Sequence, residues 1–324
     1  MQNKNKAIKR SDGMLEKFFK LEKHGTNVKT EVTAGITTFM TMAYILVIQP
    51  MFMSAAGMDV GAVTVVTAVL GAVFSIFMGL YINLPFALAP AMGSNAFFAY
   101  TLVAGGIVDW QTDLRMVFIS GIAFKLNIMG ALKWSFFSLM FTFFVGDFFS
   151  TLGTLLGVSA KADLLDENGN LPNINKPFLV DAIATVVGAL FGSTVVTTYI
   201  ESAAGVEEGG RTGLTAVIAR ICFALTIFLT PIAGMIPSEA TAPALILIGL
   251  LMISGIKNIE FDEFTEAFPA FATIVFTTFT SSISNGISIG ILSYMFTKVL
   301  AGKYKELNWG IYILAIPLLM YFVI

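Results

Sequence analysis

The chain has 324 residues, 56% of them hydrophobic and only 12% charged, with a formal net charge of −2. A soluble domain carries about 25% charged residues, so the deficit excludes an ordinary soluble protein and points to the bilayer. Near-neutral charge gives no reason to expect a nucleic-acid partner.

Residues 1–31 form a polar arm in which Lys4, Lys6, Lys9, Arg10, Lys17, Lys20, Lys23 and Lys29 crowd together. It reads as a cytoplasmic N-terminal arm, not a cleavable signal, because positive charge stays on the inner side. Charge-free runs follow at Val32–Met58, Val60–Val108, Ala182–Ile200, Ile221–Ser238, Ala267–Thr297 and Leu307–Ile324. Each meets the ~18 apolar residues of a spanning helix, so the chain is predicted to be an all-α polytopic membrane protein with roughly ten membrane segments.

The run Val60–Val108 is too long for one helix at ~1.5 Å per residue across a ~30 Å core. It is expected to break at "NLPFALAPAMGSN", where two prolines favour extended backbone, and to restart as a helix near Asn95. The stretch "ALFGSTVVTTYIESAAG" repeats the pattern: β-branched residues and threonines, then small residues that suit a helix. Two discontinuous segments in corresponding positions are the sequence pointer to a transporter's substrate site. Asn95 lies 63 residues after Val32 and Glu201 67 after Trp134, so the two breaks correspond in two halves of the chain. The first half is short by about three spanning helices with their loops.

Further along, Arg115–Ala131 is a short apolar segment carrying Lys125, and Trp134–Val158 a span carrying Asp147. "KADLLDENGNLPNINKP" and "GVEEGGRTG" read as turns, and Ala267–Thr297 as two pieces meeting near "SSISNG". Thr37, Thr38 and Thr41 are expected to bond their own helix carbonyls. Cys222 reads as a small buried hydrophobe.

A carboxylate at membrane depth costs at least ~2.5–3.5 kcal/mol, so Glu201 either reaches water beside Glu207 and Glu208 or faces a cavity as a ligand group. Asn95 can bind a ligand, cap the restarted helix, or do both. Phe97, Phe98 and Tyr100 are stacking candidates or packing residues. Asp147 and Ser150, three residues apart, share a helix side. No nucleotide-binding loop, zinc spacing or nucleophile elbow is present, so no enzyme, cofactor or metal site is predicted.

The stretches "FKLEKHGTNVKTEVTAGITTFMTMAYILVIQP", "LAPAMGSNAFFAY", "TTYIESAAGVEEGGRTGLTAV" and "EFTEAFPAFATI" resemble the AzgA-like hypoxanthine/guanine/adenine permeases of the nucleobase–cation symporter superfamily, which includes xanthine and uracil permeases. The resemblance implies an inverted-repeat transporter fold of seven plus seven segments, with short β-strands in segments three and ten and the purine between them. Core segments one to four would occupy 32–131, core segments eight to eleven 132–238, and gate segments twelve to fourteen 239–324. Segments five to seven would be absent, truncating the first repeat. It implies substrate contacts from Glu201, Tyr199 and Ile200 of segment ten, from Asn95, Ala96 and Phe97 of segment three, and from Phe39 of segment one. "DFFSTLGT" keeps the family's first aspartate as Asp147 and has Ser150 where the family carries a second. Glu201 and Asp147 are the proton-coupling candidates. The implied partners are a purine nucleobase, a proton or other cation as coupling ion, the lipid bilayer and, as a homodimer, a second copy of the chain. The implied location is the cell membrane. Two readings stay open at this point: a proton-coupled purine permease, and a truncated homologue that keeps a core purine site without transporting.

Overall fold

The computed structural model describes residues 13–104, 134–191, 193, 195–229, 246, 250, 253–280 and 282–323. The segment Arg115–Ala131, with Lys125, lies outside the described residues, as does Lys133. After a short helix α1 (Met14–Phe19), α2 (Val28–Met42) starts at Asn27, whose side chain accepts the Thr30 N–H at 3.1 Å. The apolar run read as one span is one helical stretch, Val28–Ala55, tightened at its middle: α2 ends at Met42 and α3 (Ile45–Ala55) resumes after Ala43 and Tyr44. Both residues keep right-handed dihedrals, and the Leu46 and Val47 N–H groups reach back only three residues, to the Ala43 and Tyr44 carbonyls. Three-residue bonding tightens the chain locally into a kink instead of a loop.

Helix α4 (Val60–Phe77) is capped by Asp59 and continues through a wide turn, Met78–Ile82, to Asn83 in the left-handed region at φ 61. Asparagine tolerates that conformation. Its amide also joins distant segments, donating to the Phe19 carbonyl at 2.8 Å and accepting from the Gly213 N–H at 2.9 Å.

Both expected breaks are present. Strand β1 (Leu88–Pro90) leads into α5 (Met92–Ala96), so the helix restarts three residues ahead of Asn95. On the other side of the chain come α6 (Trp134–Lys161), α7 (Asn175–Leu190), strand β2 (Val196–Thr198) and α8 (Ser202–Glu207). The strands pair antiparallel, Leu88 with Thr198, Ala89 with Thr197 and Pro90 with Val196. Flanking bonds from the Ala91 N–H to the Val195 carbonyl and from the Tyr199 N–H to the Ala87 carbonyl extend the ladder.

A two-stranded ribbon has two open edges, and in a bilayer interior unpaired backbone groups cost several kcal/mol each. One hydroxyl from the preceding helix closes each edge. Ser75 of α4 accepts the Leu88 N–H at 2.6 Å and donates to its carbonyl at 3.2 Å; Thr185 of α7 does the same for Val196, at 3.2 and 3.0 Å. Ser202 accepts the Ala87 N–H and Asp181 the Thr198 N–H. Leu88 and Val196 pack into the largest apolar core with Phe74, Phe86, Leu155 and Val180.

Helix α9 (Gly213–Thr226) crosses α2 and α4, and its first turn is held by Glu31 of α2. The fully buried Glu31 carboxylate accepts the Arg211, Thr212 and Thr215 N–H groups and the Thr215 hydroxyl at 2.8, 3.2, 3.0 and 2.6 Å. An anionic acceptor at a helix N-terminus satisfies its free N–H groups and its dipole together. At the tail, α10 (Phe264–Thr280) and α11 (Ile283–Leu300) form a close hairpin, followed by α12 (Trp309–Val323). A Cβ on Gly286 or Gly290 would fall within 2 Å of the Thr277 or Thr273 hydroxyl, so these glycines permit the approach.

Among the described residues, four helical stretches are long and apolar enough to span a membrane: Val28–Ala55, Val60–Ile82, Phe143–Lys161 and Ile283–Leu300. Met40, Phe228, Phe279 and Trp309 are all at least 70% exposed. A shell of large apolar side chains on that scale suits contact with lipid, not water.

Candidate functional site

Where the strands meet their short helices, a cavity of about 510 Å³ opens between α6, the two strand–helix turns and the tip of the α10–α11 hairpin. Its wall carries Glu201, Tyr199, Ile200, Thr197 and Thr198 from one turn and Ala91–Ser94 from the other. Asp147 and Ser150 face it from α6, with Phe143 and Phe149. This combination of apolar rings, a few hydroxyls and two carboxylates is typical of a small-molecule site, for which ~300–1,000 Å³ is the usual volume.

Glu201 is held by a residue that the sequence did not flag. The Tyr44 hydroxyl, on the tightened turn between α2 and α3, donates to its Oε1 at 2.6 Å, a charge-assisted bond. Tyr199 turns its hydroxyl to the Pro90 carbonyl, tying the glutamate's strand to the end of β1. Thr41 bonds its own helix at the Thr37 and Thr38 carbonyls and approaches the Glu201 carbonyl at 3.5 Å.

Asp147 has Thr185 Oγ1 3.3 Å from Oδ2, while its Oδ1 is buried without a partner. Below it lies a second carboxylate that sequence reading passed over, Asp181 of α7, 4% exposed and close enough to feel the charge of Asp147. Thr151 and Thr197 share a 2.7 Å hydroxyl bond between α6 and β2. Asp147 and Thr151, like Asp181 and Thr185, are four residues apart, so each helix presents an acid and a hydroxyl on one face.

Arg220 was missed as well. This arginine of α9 is fully buried, with Nη2 3.3 Å from the Met42 sulfur and its carbon 4.2 Å from the centre of the Phe223 ring. Among the described residues its Nε and Nη1 have no hydrogen-bond partner, and the acidic groups near enough to interact with it are the Tyr199 phenol and the Glu201 carboxylate. Gly71 gives it room: a Cβ there would lie 3.1 Å from Nη1. The available signal was an ionisable residue inside the apolar run "AVIARICFALTIF".

Other expected residues lie elsewhere. Asn95 is fully buried and donates from Nδ2 to Gln49 Oε1 at 2.5 Å, so its amide is turned to α3. Neither Asn95 nor Ala96 lines the cavity. Phe39 packs edge-on against Phe223 at 5.1 Å, behind the strands. The Phe97 side chain lies outside the described residues. Phe98 is buried with Met53 and Met58, Tyr100 meets Phe52, and Cys222 is half-buried and free.

A helical bundle with two broken segments crossing at a polar cavity defines a class, the polytopic membrane transporters that bind a solute at mid-depth. Residues 124–289 match the Permease family, that of the xanthine and uracil permeases. The chain is 33% identical to the adenine permease AdeQ of Escherichia coli, over 95% of this chain and 96% of that one. It is 34% identical to the adenine permease AdeP of the same organism, over 94% and 95%. The guanine/hypoxanthine permease PbuO of Bacillus subtilis is 29% identical, over 92% and 98%. The chain therefore belongs to the Permease family: it is a transporter, not an enzyme. The alignment with AdeQ runs over 425 residues, against 324 in this chain, in line with a shortened member.

Proposed function

We propose that the protein carries purine nucleobases, of the hypoxanthine, guanine and adenine group, across the cell membrane, with its N-terminus in the cytoplasm. The observation that carries the reading is the Glu201 carboxylate, fixed by Tyr44 at the wall of a cavity between two strand–helix turns. Purines present ring and exocyclic N–H groups, for which a carboxylate is the natural acceptor. Phe143 and Phe149 offer faces to a planar ring, and Ser150, Thr197 and Thr198 supply hydroxyls to its remaining polar atoms. The relatives named as adenine and guanine/hypoxanthine permeases support the same substrate class.

In this reading the two strand-bearing segments belong to inverted repeats, a core of 32–131 and 132–238, and the segments of 239–324 form what remains of a gate. Tyr199 and Ile200 shape the cavity floor. Asn95, Ala96 and Phe39 act behind it, setting the position of the segment-three turn and the strands, and Phe97 is proposed as a substrate contact. Proton symport would run through Glu201 or Asp147, whose half-buried carboxylates at the cavity wall would each take up a proton as the base binds. A homodimer would hold the shortened gate in place.

The test is uptake of labelled hypoxanthine, guanine and adenine in cells stripped of their own purine permeases, with and without a pH gradient. Wild type should accumulate at least one base and Glu201→Gln none. Uptake no higher than empty vector for all three bases sinks the proposal, and uptake indifferent to the gradient sinks the proton-coupled part.

A further inference from the structure

We propose that Ile283, at the tip of the α10–α11 hairpin, is a specificity-determining residue: the apolar cover of the base cavity, seated against bare backbone at Gly93. The inference rests on the purine reading above and adds a residue from a separate part of the chain to its site. The other walls come from residues 44, 91–94, 143–154 and 197–201, whereas Ser282, Ile283 and Ser284 arrive from the far end of the sequence. Ile283 lines the cavity and is not buried by the protein around it, with 38% of its surface exposed.

The seat is a close fit. A Cβ placed on Gly93 would come 2.3 Å from Ile283 Cδ1 and 3.0 Å from Cγ1, far inside van der Waals contact. Beside it, a Cβ on Gly146 would come 2.6 Å from the Ser284 hydroxyl. The hairpin tip thus rests on two glycines, one on α5 and one on α6, and a side chain at either would force Ile283 or Ser284 to shift its own side chain.

The tip is also held in shape. The Ser282 hydroxyl accepts the Asn285 N–H at 3.2 Å and caps α11, which leaves Ile283 as its first residue. Behind the tip, Gly286 against Thr277 and Gly290 against Thr273 keep α10 and α11 in contact along their length. A branched side chain on a rigid turn presents one shape to a flat ring, and removing methyl groups there makes room for substituents.

The experiment measures binding of tritiated hypoxanthine, adenine and guanine to the purified full chain in detergent, and competition by N-ethylated purines. Ile283→Ala should improve the affinity for the N-ethyl compound relative to the parent base by about tenfold, the order expected for a methylene-sized change in an apolar site. Gly93→Ala should weaken binding of the parent base, and Gly93→Ala combined with Ile283→Ala should restore it, because the clashing atoms are gone. An unchanged selectivity ratio in Ile283→Ala, or a Gly93→Ala defect that persists in the double variant, overturns the inference and leaves the purine reading standing. If wild type binds none of the three bases, the purine reading fails and takes the inference with it.

Discussion

Tyr44→Phe removes one oxygen atom and keeps the ring, so it isolates the bond that fixes Glu201. That bond is 2.6 Å long and joins a phenol to a carboxylate. Hydrogen bonds to charged groups contribute about 1.5–3 kcal/mol, and their loss inside a protein leaves an acceptor without its donor. If the base binds on the remaining lone pairs of Glu201, the substitution should weaken purine binding roughly tenfold to a hundredfold, at about 1.4 kcal/mol per factor of ten. Binding of labelled purine to purified protein measures this directly, with thermal unfolding as a check on folding. A cycle with Glu201→Gln separates the pair from its surroundings: the Tyr44→Phe penalty should shrink to a few-fold once the carboxylate is an amide. A Tyr44→Phe protein that binds within about twofold of wild type, or a penalty undiminished in the Glu201→Gln background, would falsify the assignment of Tyr44 as the glutamate's anchor.

Glu31→Ala strips four hydrogen bonds from the start of α9 and should destabilise the protein by about 3–5 kcal/mol, read as a lower unfolding temperature in detergent; an unchanged midpoint refutes the capping role. Arg220→Met replaces a buried cation that has no carboxylate within bonding distance among the described residues by an apolar chain, so the unfolding temperature should hold or rise while purine uptake falls. A loss of stability with uptake retained would show that the guanidinium is structural. Glu263, in the polar turn before α10, is held down to about 2 chiefly by its bond to Lys303, against the usual 4.5 for glutamate. Because the folded value is depressed, the contribution of this ion pair is present above about pH 4.5 and lost as the pH falls towards 2. Lys303→Met should therefore lower the unfolding temperature slightly above about pH 4.5, neutral pH included, by a difference that vanishes as the pH falls towards 2; the effect is small because both side chains are exposed.

The sequence exposed those features whose signal is local. Two prolines at Pro85 and Pro90 announce the first break, and the threonine-rich run before Glu201 announces the second; both are strands followed by short helices. Glu201 and Asp147 stood out as acids in apolar surroundings, and both line the cavity. Arg220 and Asp181 carried the same signal less openly, because each lies inside a regular helix and not at a break. The kink at Ala43–Tyr44 contains neither glycine nor proline, so nothing in the residues marks it, and with it the Tyr44 anchor was out of reach. Asn95 shows the opposite case. Its chemistry suits a ligand, yet it gives an N–H to Gln49, and only the relative placement of α3 and α5 decides that partner. The edge hydroxyls Ser75 and Thr185 belong to the same group: serine and threonine are common in apolar helices, and their duty depends on a strand that approaches from elsewhere.

The pairing of β1 with β2 has a consequence for how the protein is made. Leu88 is synthesised roughly a hundred residues before its partner Thr198, so the first strand must enter the bilayer while half of its ladder does not yet exist. Ser75, thirteen positions earlier on α4, is already in place and can serve both polar groups of Leu88 during that interval. The hydroxyl thus holds the outer edge of the first strand from the start, while the Ala87 carbonyl and the Ala91 N–H wait for Tyr199 and Val195, which arrive only after α6 and α7. Assembly of the site is therefore a late step in biogenesis, and a Ser75→Ala chain should be caught by membrane quality control before it ever meets a substrate.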